Sequence, residues 1–260
     1  MTAQGNTKIV SLVSIGAHPT SGRARRAEQD SRAVELGLQL AGERLEVLHA
    51  GDAAEPALRA YLGMGLAQLH VLEQPPGADA LPALAEHLKQ TGAQLVLAGT
   101  QAETGEGSGM LPFLLGERLG WPVIVGLAQI ESIENGVAQV LQALPRGQRR
   151  RLKVRLPMVA TLDNAAPKPR QSAFGPGRRG VLEAHEVDIF EDERLAEAEL
   201  NPARPRPKRL KVIKAKSGAD RMKAATAKAS GGTGQVLKGL SAQQGAEAIL
   251  KLLVEEGVVR

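Results

Sequence analysis

The stretch best able to do chemistry runs from Gly105 through Gly107 and Ser108 to Gly109. Before it stands a short apolar run, Leu95 to Ala98. After it, Leu111, Leu114, Leu115, Arg118 and Leu119 follow helical spacing until Gly120. The run reads as a strand buried on both faces, and the glycine as a helix stop. Val123 to Val125 reads as the next strand. In open parallel sheets ligands gather where strand C-termini meet helix N-termini. Gly107, Ser108 and Gly109 fall there, so their N–H groups and the helix dipole would favour a phosphate. Two features oppose this. The glycine spacing is neither a Walker loop nor a dinucleotide fingerprint. Glu103 and Glu106 would repel a phosphate unless they face ribose hydroxyls or solvent. An ordinary glycine loop is the alternative reading.

Other reactive groups are sparse. The absence of cysteine excludes disulfides, thiolate catalysis and cysteine metal sites. His18, His49, His70, His87 and His185 lack metal-like spacing and read as surface or structural residues. Asp163, Glu183 and Glu191 show no pairing that would support acid–base work, and no serine or threonine is placed beside a base. No catalytic residue and no metal site is expected. Arg149, Arg150 and Arg151 read as the solvated face of a strand, with contact to nucleic acid or phosphate as the alternative. With aromatics at 2% and no nucleic-acid motif, DNA or RNA is not an expected partner.

The elements that must position the loop alternate along the chain. Strands are predicted at Lys8–Ile15, Leu45–Leu48 and Leu69–Leu72, and helices at Ala27–Leu40, Glu55–Met64 and Asp79–Gln90. Residues 16–22 read as a loop, with no hairpin ahead of the first helix. This alternation predicts an α/β domain with a parallel sheet. Past Gly126, Asn135-Gly136 between two alternating runs predicts a hairpin. Arg149–Leu156 and Met158–Leu162 read as further strands.

Residues 163–180 read as mostly loop, and Val181–Phe190 as a strand or an extended arm. The proline-rich stretch 200–210 reads as an extended connection. Lys211–Lys216 resembles a lone strand, and Ser217–Gly234 reads as flexible. Ser241–Glu256 sets Ala246, Ile249, Leu250, Leu253 and Val254 on one helix face, with Ser241 near the N-cap. Residues after 180 lack a core of their own and need another surface. The division expected is 1–180 as the α/β domain and 181–260 as an arm.

The chain has 260 residues, 43% of them hydrophobic, and a net charge of +5. No apolar run reaches membrane-span length, and the N-terminus lacks a signal-peptide core. A cytoplasmic protein without membrane insertion is expected.

Several segments, in order, resemble the β subunit of electron transfer flavoproteins. They are Asp30–Leu40, Ala57–Gly65 followed by His70-Val71, Leu95–Ala102, Leu156–Thr161 and Lys168-Pro-Arg170. The resemblance implies a nucleotide-binding domain of the adenine nucleotide α-hydrolase-like fold over residues 1–180. It implies a heterodimer with an α subunit that carries FAD. It also implies an AMP site in this subunit, and electron flow from a flavin-dependent dehydrogenase toward a quinone reductase. Carried over, Gly99, Thr100, Gln101 and Ala102 match the family's loop start, and Gly107 and Ser108 its phosphate contact. Ala50 matches a position beside the adenine, and Leu12 a first-strand position. Phe174 occupies the place of an apolar docking residue, rimmed by Arg170, Arg178 and Arg179. The alternative for Phe174 is a plug folded against the sheet edge. The alternative for the whole chain is a standalone nucleotide-binding regulatory or stress-type module.

Overall fold

The computed structural model describes residues 7–105, 107–162, 164–199, 201, 217–220, 222, 239 and 241–255. The chain divides into two compact units, Met1–Ala198 and Glu199–Arg260.

The first unit is a layered α/β domain. It begins with strand β1 (Ile9–Leu12), a small hairpin of β2 (Ile15–Ala17) and β3 (Ala24–Arg26), and helix α1 (Glu28–Ala41). Then come β4 (Glu46–Gly51), α2 (Arg59–Leu62), β5 (Gln68–Glu73), α3 (Ala80–Gln90), β6 (Leu95–Gly99) and α4 (Leu111–Leu119). The rest is β7 (Val123–Glu134), β8 (Val137–Ala143), β9 (Arg149–Arg155), β10 (Met158–Leu162), α5 (Phe174–Arg179), β11 (Val181–Glu186) and α6 (Glu193–Ala196).

Nine strands form one sheet in the order β11-β5-β4-β1-β6-β10-β7-β8-β9. It is parallel from β11 to β7 and antiparallel from β7 to β9. The central strands are buried on both faces, so their sequences are apolar without alternation. In β6, Leu95 and Leu97 face one core cluster with Ala33, Leu36 and Tyr61. Val96 and Ala98 face the other, with Leu84, Leu88 and Leu115. Asn135 and Gly136 turn the β7–β8 hairpin with φ of 49° and 72°, the left-handed pair a two-residue turn needs.

Three expectations change. Residues 16–22 are not plain loop, because β2 and β3 pair from Ile15–Arg26 to Ala17–Ala24. A hairpin does precede α1. The helix expected over Glu55–Met64 is a 3-10 turn at Pro56–Leu58 followed by α2 alone. It stops at Gly63, where an added Cβ would come within 2.1 Å of Ser172 Oγ. Between strand and arm at residue 181, the strand holds over Val181–Glu186, because the edge of β5 supplies the surface this segment lacks.

In the second unit, α7 (Ala242–Glu255) forms as expected. Ser241 Oγ accepts from Gln244 N at 3.3 Å, and Gln244 Oε1 accepts from Ser241 N at 3.0 Å. This reciprocal pair is a capping box with glutamine at its fourth position. Ile249, Leu250, Leu252 and Val254 are exposed. The strand expected at Lys211–Lys216 lies outside the described residues. So does the 200–210 connection apart from Asn201.

Candidate functional site

From β1 the chain steps outward to β4 and β5, then returns to β6 and β10 on the other side of β1. The loops leaving β1 and β6 therefore part company, and such a switch point is where open α/β sheets hold ligands. Leu12 ends β1, Ala50 lies near the end of β4 and Gly99 ends β6. All three stand at the same sheet edge. Thr100, Gln101, Ala102, Gly107 and Ser108 lie on the single loop from β6 to α4.

The first half of this loop is held by the first turn of α1. Gln29 Oε1 accepts from Thr100 N at 2.8 Å and from Thr100 Oγ1 at 2.6 Å. Asp30 accepts from Gly99 N at 3.0 Å, Ser14 N at 2.7 Å and Ser14 Oγ at 2.6 Å. Burial pushes the Asp30 carboxyl above its ordinary pKa, against the pull of the hydrogen bonds from Ser14 and Gly99. Tyr61 adds a second clamp. Its hydroxyl donates to Ser14 O and accepts from Ala27 N, each at 2.8 Å.

Glu103 is turned away from the loop centre. It accepts from Ala17 N at 3.1 Å and from Glu28 N at 2.7 Å. It also takes both bonds that Arg25 Nη2 offers, at 3.0 and 3.2 Å. Its charge is thus spent on an arginine and on the N-terminus of α1, where a carboxylate is favoured. Glu106 lies outside the described residues.

The second half of the loop is left open. Gln101 Nε2 donates to Gly107 O, and Ser108 Oγ accepts from Met110 N at 3.2 Å. Among the described residues, no hydrogen bond takes the backbone N–H of Ser108 or Gly109. Gly109 has φ of 73°, and a Cβ there would stand 2.7 Å from Thr100 O, so only glycine closes this turn. Two free amides ahead of a helix suit a phosphate-sized anion. At the loop's start the amides are already taken by Gln29 and Asp30. The residues fit the phosphate of a nucleotide at Gly107, Ser108, Gly109 and the start of α4, beyond the two amides that α1 holds. Next to Ala50, the buried His49 donates Nδ1–H to Val13 O at 2.8 Å, and burial keeps its pKa below the ordinary value.

Gln29, Asp30 and Tyr61 escape a reading by motif. The only signal for Gln29 and Asp30 is polar character in α1, where Asp30, Ser31, Arg32 and Glu35 are all buried, and Tyr61 lies on α2.

Phe174 and Arg178 gather at a different place, beside α2, while Arg170 sits against α1. Phe174 is 82% exposed and does not plug the sheet edge. The platform beneath it is tight. Ala173 N donates to Gly63 O at 2.9 Å, and a Cβ on Gly177 would meet Arg59 O at 2.7 Å. Arg170 is not a free rim charge. It grips Glu35 at 2.7 and 3.1 Å. Burial pushes the Glu35 carboxyl up, but hydrogen bonds from Arg170 and Gln39 outweigh it and leave the pKa below its ordinary value. The Arg178 side chain has no hydrogen bond or ion pair among the described residues, so the rim charge resides there. Pro56, Arg59, Ala60, Phe174 and Arg178 line a shallow depression of about 440 Å³.

The basic strand β9 is partly neutralised by its neighbours. Arg151 pairs with Glu131 at 2.7 and 2.9 Å, and Arg150 with Gln142 at 2.7 and 3.0 Å. No described helix is long and apolar enough to cross a membrane.

The electron transfer flavoprotein domain family matches residues 21–190. A similar curated protein is the electron transfer flavoprotein subunit beta of Chromohalobacter salexigens. It is 58% identical over 256 residues, which are 97% of this chain and 96% of the relative. With the parallel sheet and its switch-point loop, this likeness extends well beyond the loop to almost every element. The chain belongs to the electron transfer flavoprotein β-subunit family: it is an electron-carrier subunit rather than an enzyme, and that membership implies an α-subunit partner.

Proposed function

We propose that the chain works in a cytoplasmic heterodimer that accepts electrons from a flavin-dependent dehydrogenase and passes them toward a quinone reductase. FAD, held mainly on the α subunit, supplies the electron storage when bound. This chain supplies the docking surface and the frame. The observation that carries the reading is Phe174, 82% exposed on a platform stiffened from below. An exposed aromatic beside a free arginine has the composition of an interface hot spot, and the arginine can steer an acidic partner. Residues 1–180 form the nucleotide-binding domain of this reading. Residues 181–260 supply the arm that covers the α subunit, with Val181–Glu186 also closing the sheet edge. AMP in this subunit would be held by Gly107, Ser108 and the start of α4, with Ala50 and Leu12 on the adenine side.

The test is Phe174→Ala in the co-expressed heterodimer. Electron acceptance from the dehydrogenase should weaken by about 2 kcal/mol, the size of a hot-spot loss. Flavin content and thermal stability should not change. A variant with unchanged dehydrogenase kinetics would place the docking surface elsewhere.

A further inference from the structure

Histidines with no shared motif in the sequence meet at the sheet edge. His70 lies on β5. On β11, Glu183 stands opposite His70 and His185 opposite Leu72. Residues two apart on a strand share a face, and paired neighbours in a parallel sheet project to the same side. His70, Glu183 and His185 therefore point one way, toward α3. His70 Nδ1 lies 2.9 Å from His185 Nε2 and 3.4 Å from Glu183 Oε2. One donor atom from each lies within 4.8 Å of the others. Ligands at about 2.0–2.1 Å from a tetrahedral zinc stand about 3.3 Å apart, and the two distances from His70 Nδ1, 2.9 and 3.4 Å, lie close to that spacing.

The surroundings select which groups ligate. His87, on α3, has its ring 6.3 Å from that of His70 and 5.9 Å from that of His185. Its Nε2 is held by Glu46 at 2.8 Å, and Glu46 also pairs with Lys8, so His87 packs against the group without joining it. Glu183 is too far from His70 Nδ1 for a good hydrogen bond, yet near enough to share a cation with it. The Gln68 amide lies 3.1 Å from His70 Nε2. Turned over, it accepts the Nε2–H proton, the supporting contact that metal-bound histidines make.

We propose that His70, His185 and Glu183 bind one divalent transition-metal cation of the zinc class, which fastens the edge strand β11 to β5. The cation takes the place of the proton shared by His70 and His185. Two imidazole nitrogens and one carboxylate suit zinc and its neighbours, whereas magnesium and calcium demand oxygen ligands. Three protein ligands leave one position open to water.

The experiment uses the full chain in complex with its α subunit, purified without a histidine tag and stripped with a chelator. Titration with zinc chloride should show one equivalent bound through this chain, and magnesium chloride should not compete. Zinc should also raise the melting temperature. His185→Ala and His70→Ala should each lower zinc affinity by more than the roughly 10–100-fold that loss of a supporting contact costs. His87→Ala should keep binding within about tenfold. Should His70→Ala fail to fold, His185→Ala and Glu183→Ala, both on the edge strand, decide the matter. No saturable zinc binding to the wild-type complex overturns the proposal. So does binding that survives His185→Ala, or binding lost equally in His87→Ala.

Discussion

Gly107, Ser108 and Gly109 are where the loop after β6 approaches α4 with open amides, whereas Gly99 N and Thr100 N are spent on α1. Gln29 and Asp30 take the first loop amides, and Glu103 is bound to Arg25. A phosphate bound by this loop would meet its open amides next to the start of α4. Ser108→Glu puts a like charge beside it and removes the hydroxyl that holds Met110 N. Co-purified nucleotide, measured by mass, should fall at least tenfold in this variant, about 1.4 kcal/mol. The fold should be unaffected, because Ser108 is exposed. Nucleotide retained at full occupancy would place the phosphate elsewhere. The sequence exposed the glycines and their position, since strand, loop and helix are local patterns. It hid the role of Glu103. A carboxylate in a glycine loop reads as hostile to phosphate until Arg25, 78 residues away, is seen to hold it.

Elements with a strong local period were legible and short or paired ones were not. The β6 strand, α3 and α7 carry their own apolar pattern, and the Asn135-Gly136 hairpin carries its turn. The β2–β3 hairpin carries neither. Its three-residue strands are held by tertiary contacts, including Thr104 Oγ1 to Ile15 O at 2.6 Å. β11 reads equally well as an arm, and only β5 decides it. The histidines show the same limit, because spacing along one strand says nothing of the strand beside it. A further tie between elements has a pH signature. Glu46, at the start of β4, accepts from His87 on α3 and pairs with Lys8 ahead of β1. Burial pushes its carboxyl up, but the hydrogen bonds and charges of His87 and Lys8 outweigh it and bring the pKa down from 4.5 to about 2. Its folded pKa is depressed, so the stability it adds is complete above pH 4.5 and fades as pH falls toward about 2. Glu46→Gln should cost on the order of 2 kcal/mol at pH 7, after discounting for solvent. In acid titrations followed by circular dichroism, variant and wild type should differ at neutral pH and converge near pH 2. A difference that stays constant down to that pH would show that Glu46 acts through packing and not through its charge.

At the scale of the whole molecule, the chain carries more apolar surface than its own sheet uses. The two core clusters cover both faces of the central strands. In the second unit, Ile249, Leu250, Leu252 and Val254 on the capped helix α7 are 53% to 61% exposed. Full burial of such a side chain contributes about 1.5–3 kcal/mol, so a partner that covered all four would gain several kcal/mol before ordering costs. Isolated apolar residues on a surface are ordinary, but four within six positions make most of one side of this helix apolar. Membership of the β-subunit family supplies the partner that would use it. Deleting residues 200–260 should therefore abolish co-purification with the α subunit, while the remaining domain keeps the circular dichroism of a folded α/β protein. That separation is expected because, among the described residues, the buried core residues of both sheet faces lie within residues 9–166. A truncated chain that still formed a stable, flavin-retaining heterodimer would show that the α subunit is held by the sheet domain. The apolar side of α7 would then need another use.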